Sequence, residues 1–284
     1  AAAPGQILVA EGARRSAGAG LHWGERMPLL PHGWRTPVPV TPLVGADLPV
    51  AQPAAGAGLV GRQAELALLR TQLDLALRGR GRVITVNGVA GVGKSALAAA
   101  LLEEAAARGA RCVRGECVSY RAASSYLVWR RILRALIGLD PGWSRERQLA
   151  VVSDWLAAID PQAVERVGLL GPILGLTLPE TELTRQMDAP LRKAALEALV
   201  LEGLGRMAAE TPLVMVLESC DWIDPLSRDL LAVIVRAAAH LPLLLIVTHR
   251  ELPAPLPAER MAHVRMLPLV ELTPAAATQL IHQH

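Results

Sequence analysis

Eight consecutive residues, Gly88 to Ser95 (GVAGVGKS), satisfy the pattern G-x-x-x-x-G-K-[ST] at each fixed position. The chemistry available to such a set is the grip of a polyphosphate. Gly88, Val89, Ala90, Gly91, Val92 and Gly93 can curl so that successive backbone N–H groups face a β-phosphate, and the helix opening at Lys94, Ser95 and Ala96 adds its positive end. Lys94 reaches the β/γ-phosphates, and the Ser95 hydroxyl takes a place on Mg²⁺. Only two of the 29 basic residues are lysines, Lys94 and Lys193. With so few lysines, chance placement gives this pattern about once in a thousand such chains, against which a mere glycine-rich turn is the weaker reading.

Elements of a defined kind must hold that loop. Arg82 to Asn87 is a β-branched run that predicts a buried strand, and Ala96 to Ala107 is rich in strong helix formers. Further on, Leu213 to Leu217 is a continuous apolar run of strand length that ends in Glu218. An acid at the carboxyl tip of a buried strand is placed to hold Mg²⁺ through water, so Ser95 and Glu218 are the metal candidates. Ser219, Cys220, Asp221, Trp222, Ile223 and Asp224 follow, then a helix near Leu226. Leu243 to Thr248 predicts another strand, ending at His249, Arg250 and Glu251, and a last strand is expected at Val264 to Leu267.

Composition limits the function classes. With 284 residues, 52% of them hydrophobic, the chain has apolar content for one large or two modest domains. The most apolar region, Leu230 to Val247, is interrupted by Arg236, His240 and Pro242, short of the ~18 residues a membrane helix needs. Neither a signal peptide nor a membrane partner is expected. The net charge is +3 with arginines spread along the chain rather than in a basic block, which argues against direct nucleic-acid binding. Cys112, Cys117 and Cys220 suit neither a disulfide framework nor a zinc site, so a reducing cytoplasm is the expected compartment.

In chain order, Gln6 to Ala10 predicts a short strand, Glu11 to Ser16 a short helix, and Thr36 to Pro42 an extended edge segment leading into a linker. Leu59 to Leu77 opens a helix with Leu66, Leu69, Leu73 and Leu77 on one face. After Arg111 to Glu116, a second strand, comes a helical insertion. Its segments are Tyr126 to Ile137, Glu146 to Ile159 and Asp188 to Ala209, with Trp129, Trp143 and Trp155 as core or interface aromatics.

Two resemblances add to this. AAPGQILVAEGARR and GWRTPVPVTPLVG are similar to the C-terminal end of class III adenylate/guanylate cyclase domains, which implies a cyclase tail over residues 1–44 and a linker over 45–58. The metal aspartates of that family precede this point, so no cyclase activity is expected here. LVGRQAEL, GVAGVGKS, LVMVLESCDWIDP and LLLIVTHRE resemble, in order and spacing, the AAA-like signal-transduction ATPase module joined to class III cyclases and to LuxR-type regulators.

The second resemblance implies a P-loop domain over residues 59–284. Its expected fold is α/β: a five-stranded parallel sheet flanked by helices, with an extra strand between the P-loop strand and the acid-bearing strand, and an α+β remnant at the N-terminus. It also implies ATP and Mg²⁺ as cofactors, and Arg62 as a nucleotide contact. Glu218, Asp224 and Arg250 become catalytic candidates, with Arg250 as the sensor of the γ-phosphate. Expected partners are other domains of a longer protein, a cyclase upstream and lid and repeat domains downstream, with oligomerisation open. An alternative is the ATP-sensing core of a LuxR-type regulator, or a scaffold that binds ATP without turnover. The family commonly has a second acid where this chain has Ser219, which leaves binding intact and predicts slow hydrolysis.

Overall fold

In the N-terminal segment, β1 (Ile7–Ala10) runs into α1 (Glu11–Ser16), followed by β2 (Leu21–Trp23), β3 (Met27–Leu29) and β4 (Val38–Ala46). The structure, a computed structural model, describes residues 7–16, 21–30, 36–46, 59–118, 125–250 and 261–283. The linker expected at 45–58 lies outside those residues from 47 onward, as does Glu251. Ala1–Ala57 and Gly58–His284 form two separate units.

The proline-rich stretch read as an edge segment is instead the central strand of an antiparallel sheet. β4 pairs with β1 on one side, and with β3 and then β2 on the other. Proline removes a donor, which usually confines it to edges. Here Pro39 sits opposite Pro28, and the Pro42 carbonyl still accepts from the Gly24 N–H at 2.8 Å, so β4 keeps partners on both sides.

The Gly58–His284 unit is built on β5 (Arg82–Asn87), β6 (Arg111–Glu116), β7 (Leu213–Glu218), β8 (Leu243–His249) and β9 (Val264–Pro268). All pairings are parallel, in the order β6-β7-β8-β5-β9, so β8 is the extra strand between the P-loop strand and the acid-bearing strand. β7 and β8 are buried at each position, as strands covered on both faces require. Period-2 alternation divides their side chains. Leu213, Met215, Leu217, Leu243, Leu245 and Val247 face one core, while Val214, Val216, Leu244 and Ile246 face the other.

The second core is closed by α2 (Gln63–Leu77) and α3 (Lys94–Ala107), through Leu69 and Leu73 and through Leu97 and Leu101. α2 starts four residues later than Leu59, and α3 starts at Lys94 rather than Ala96. The first core is closed by the insertion. Its helices are α4 (Leu127–Ile137), α5 (Arg145–Ile159), α6 (Gly171–Leu174), α7 (Glu182–Arg185) and α8 (Ala189–Glu210), and α9 (Pro225–Ala237) joins them after β7. α10 (Pro274–Gln283) follows β9.

Caps set the helix starts: Ser144, Thr181, Asp188 and Asp224 each accept a backbone N–H of the first turn of α5, α7, α8 and α9. Trp129 is fully buried, its Nε1–H donating to the Ser227 carbonyl at 2.9 Å, so α4 is tied to α9. Trp143 packs under the Arg147 guanidinium, 4.1 Å from the ring centre. Among the described residues no helix is long and apolar enough to cross a membrane.

Helix α8 carries two glycines in opposite situations. A Cβ on Gly203 would stand 2.1 Å from Trp155 Cζ2, whereas a Cβ on Gly205 would stand 3.5 Å from Leu241 Cδ2. Alanine gains ~1 kcal/mol of helix propensity over glycine, and a rigid ring overlap costs ~1–3 kcal/mol. Gly203→Ala should therefore lower the thermal midpoint, and Gly205→Ala should leave it unchanged or raise it. Calorimetry of both variants checks the pair, and equal shifts would contradict the α5–α8 packing.

Candidate functional site

Parallel strands end on the same side of the sheet, so the carboxyl tips of β5, β7 and β8 bring their following loops together. Asn87 ends β5 opposite His249 of β8, and Glu218 ends β7. The loop Gly88–Gly93 leaves Asn87 and returns into α3. Gly91 (φ +78°) and Gly93 (φ +99°) take the left-handed conformation that a side chain resists, and a Cβ on Gly88 would stand 2.7 Å from the Leu269 carbonyl oxygen. Val89, Ala90, Gly91 and Ser95 are exposed, Val92 is buried, and Ala96 lies half-buried in the first turn. Gly93 has no side chain to cap α3, so the first-turn N–H groups are left for a ligand.

Lys94 folds over its own loop, its Nζ donating to the Gly88 and Val89 carbonyls at 2.8 Å each. Burial pulls this ammonium below the usual lysine range. The Asp221 carboxylate opposes that shift, the Arg250 guanidinium adds to it, and Glu218 opposes it. Lys94 therefore lies within the electrostatic reach of both loops that follow β7 and β8. An anion placed on the loop would replace the carbonyls as its partner with a stronger, charge-assisted one.

Glu218 is 2% exposed. Its Oε2 accepts the Nε–H of Arg114, on β6, at 2.5 Å, and the same guanidinium adds a second contact through Nη2. Its Oε1 is buried with no hydrogen-bond partner. A buried carboxylate oxygen left open in this way fits a cation or its water shell. Sequence reading gave Arg114 no role. The signal that marks it is register: Arg114 lies two positions before Glu116, the residue paired with Glu218, and so points to the same face of the sheet.

The next turn separates the remaining acids. Ser219 takes φ +55°, and its N–H donates to Thr248 Oγ1 at 3.3 Å. Asp221 Oδ1 accepts the Arg250 N–H at 3.1 Å, with Arg250 Nε 3.6 Å from Oδ2, so Asp221 and Arg250 form one unit at the tips of β7 and β8. Asp224 is placed differently. Its Oδ1 caps α9 by accepting the Ser227 N–H at 2.9 Å, and it also accepts the Tyr126 N–H at 3.3 Å, which joins α9 to the start of α4. Of the two aspartates, Asp221 is the one whose charge acts on Lys94.

Arg62 is 3% exposed, just ahead of α2. Its guanidinium donates to Glu65 Oε1 at 2.9 Å, to the Val92 carbonyl at 2.8 Å and to the Val270 carbonyl at 2.5 Å. It therefore ties the phosphate loop to the segment after β9. Its Nε, buried without a hydrogen-bond partner, lies 4.0 Å from where a Cβ on Gly93 would stand.

The two duties open to Asp224 can be separated by substitution. Asp224→Ala removes the cap and should cost ~1 kcal/mol or more of stability, read in urea unfolding. Asp224→Asn keeps an acceptor oxygen and should recover most of that loss. A catalytic duty would show instead as an Asn variant of normal stability without ATP turnover.

Residues 58–247 match the AAA ATPase domain family. Over 254 residues the chain is 28% identical to an uncharacterised protein of Rhizobium meliloti (strain 1021); the match covers 87% of this chain and 24% of that protein, so the chain spans about a quarter of that relative's length. Solved structures similar to it include a chain of the E. coli MS115-1 HORMA:CdnC:Trip13 complex, at 14% identity and TM-score 0.44 over 79% of this chain and 67% of that one. Another is a chain of Drosophila ORC bound to DNA, at 11% identity and TM-score 0.33 over 74% of this chain and 94% of that one. With the family match spanning the phosphate loop, the acid-bearing strand and most of β8, the chain belongs to the AAA ATPase domain family.

Proposed function

We propose that the Gly58–His284 unit binds ATP with Mg²⁺ and serves as a slowly hydrolysing switch within a longer cytoplasmic signalling protein. The observation that carries this reading is the curled loop Gly88–Ser95 with Lys94 at its centre, set beside the open Oε1 of Glu218. The loop N–H groups and the α3 amino end bind the β-phosphate, Lys94 exchanges loop carbonyls for phosphate oxygens, and Arg250 faces the γ-phosphate across Asp221. Ser95 and Glu218 would hold the metal, which when bound supplies charge neutralisation between the β- and γ-phosphates.

Slow turnover follows from the turn after β7. Ser219 is neutral and a poor proton acceptor at pH 7, and the Asp221 carboxylate is already engaged by the backbone N–H and guanidinium of Arg250. Mg²⁺-ATP would then persist on the protein, as a switch requires.

The fusion to a class III cyclase rests on the N-terminal unit. In it β1 leads into α1 and pairs with the later strand β4, the strand, helix and closing strand of that resemblance, which supports the reading. The output of such a protein would be cyclic nucleotide synthesis rather than nucleic-acid binding by this chain.

Lys94→Ala removes the only side-chain cation of the loop, a loss of ~1.5–3 kcal/mol per charge-assisted contact, so ATP affinity in a calorimetric titration should fall at least tenfold. Wild type should hydrolyse ATP well below the ~1–100 s⁻¹ of efficient phosphoryl-transfer enzymes. Ser219→Asp should raise that rate, since aspartate tolerates the left-handed backbone there. Unchanged affinity in the first variant rejects the binding site, and fast wild-type turnover that Ser219→Asp leaves unaltered rejects the account of the missing acid.

A further inference from the structure

The carboxylate expected to meet the metal already has a counter-ion inside the protein. Arg114 reaches Glu218 from the adjacent strand with two guanidinium nitrogens on Oε2, one of them Nε at 2.5 Å. The pair is well buried, with side-chain exposures of 18% for Arg114 and 3% for Glu218. Lys94 does not share this duty, because its Nζ is held by the Gly88 and Val89 carbonyls. Glu116, the register partner of Glu218, ends β6 beside it, so Arg114 also offsets repulsion between neighbouring acids.

Separating a buried ion pair leaves a desolvated charge uncompensated, which is strongly unfavourable. A divalent ion approaching Glu218 therefore meets a carboxylate whose charge is already balanced, with one oxygen open. What the ion gains at Oε1 is offset by weakening the pair at Oε2. The loop N–H groups and Lys94, which bind phosphate directly, do not depend on that exchange.

Building on the nucleotide-binding reading, we propose that Arg114 is a built-in counter-ion for Glu218 that makes nucleoside polyphosphate binding at this loop nearly independent of divalent cation. Glu218 would engage a metal with both oxygens only if the Arg114 guanidinium were displaced from Oε2. Arg114 thus positions Glu218 and sets its response to metal, without itself touching the nucleotide.

The test is a calorimetric titration of the 284-residue chain with ADP, in excess EDTA and again in MgCl₂. In wild type the two dissociation constants should differ by less than about fivefold, under a tenfold step of affinity. Arg114→Met should move that ratio above fivefold, in favour of Mg²⁺, and Arg114→Lys, which keeps the charge, should keep it below. Circular dichroism establishes folding, and if Arg114→Met does not fold, Arg114→Gln takes its place with the same expectation. A wild-type ratio above fivefold overturns the proposal, and so does a neutral variant whose ratio stays below it. Absence of ADP binding in both buffers rejects the nucleotide reading itself, a result distinct from metal-dependent binding.

Discussion

Burial of β7 and β8 on both faces is the constraint from which the rest of this unit follows. A strand buried on both faces must be apolar along its length and covered by helices on either side, so polar residues such as Glu218, Thr248 and His249 are confined to its end. Because all five strands run parallel, those ends coincide, and Asn87, Glu218 and His249 come to one edge. α2 and α3 close one face and the insertion closes the other, so the loops at that edge rest on two packed cores.

That edge holds charges in opposed pairs. Arg114 balances Glu218, Arg250 balances Asp221, and Lys94 rests on carbonyls of its own loop. Each of these cations therefore has a partner within the protein. Arg62 adds a mechanical link, since one guanidinium bonds the loop at Val92 and the segment after β9 at Val270.

Much of this was legible in the sequence because local pattern and tertiary role agree. The apolar runs at Leu213 and Leu243 are continuous and of strand length, and they form two of the three interior strands of the sheet. The loop Gly88–Ser95 is fixed by backbone requirements that glycine spacing reports directly. Less legible was whatever depended on pairing across the sequence. Arg114 meets Glu218 over 104 positions, a neighbourhood that only strand register reveals. Asp224 reads as one acid among several in a family motif, yet its position before Pro225 makes it a helix cap. The proline-rich β4 read as an edge because proline's missing donor is a local fact, while the register that gives it three partner strands is not.

The central claim is that Gly88 to Ala96 closes on the phosphates of ATP through its backbone. Hydrogen–deuterium exchange of the chain with and without Mg²⁺-ATP tests this most directly, since it reads the N–H groups themselves. The account predicts slowed exchange in a peptide spanning Gly88 to Ala96, with a smaller effect at Glu218 to Asp221. Protection absent from the loop at saturating nucleotide, or confined to the insertion helices, would contradict it.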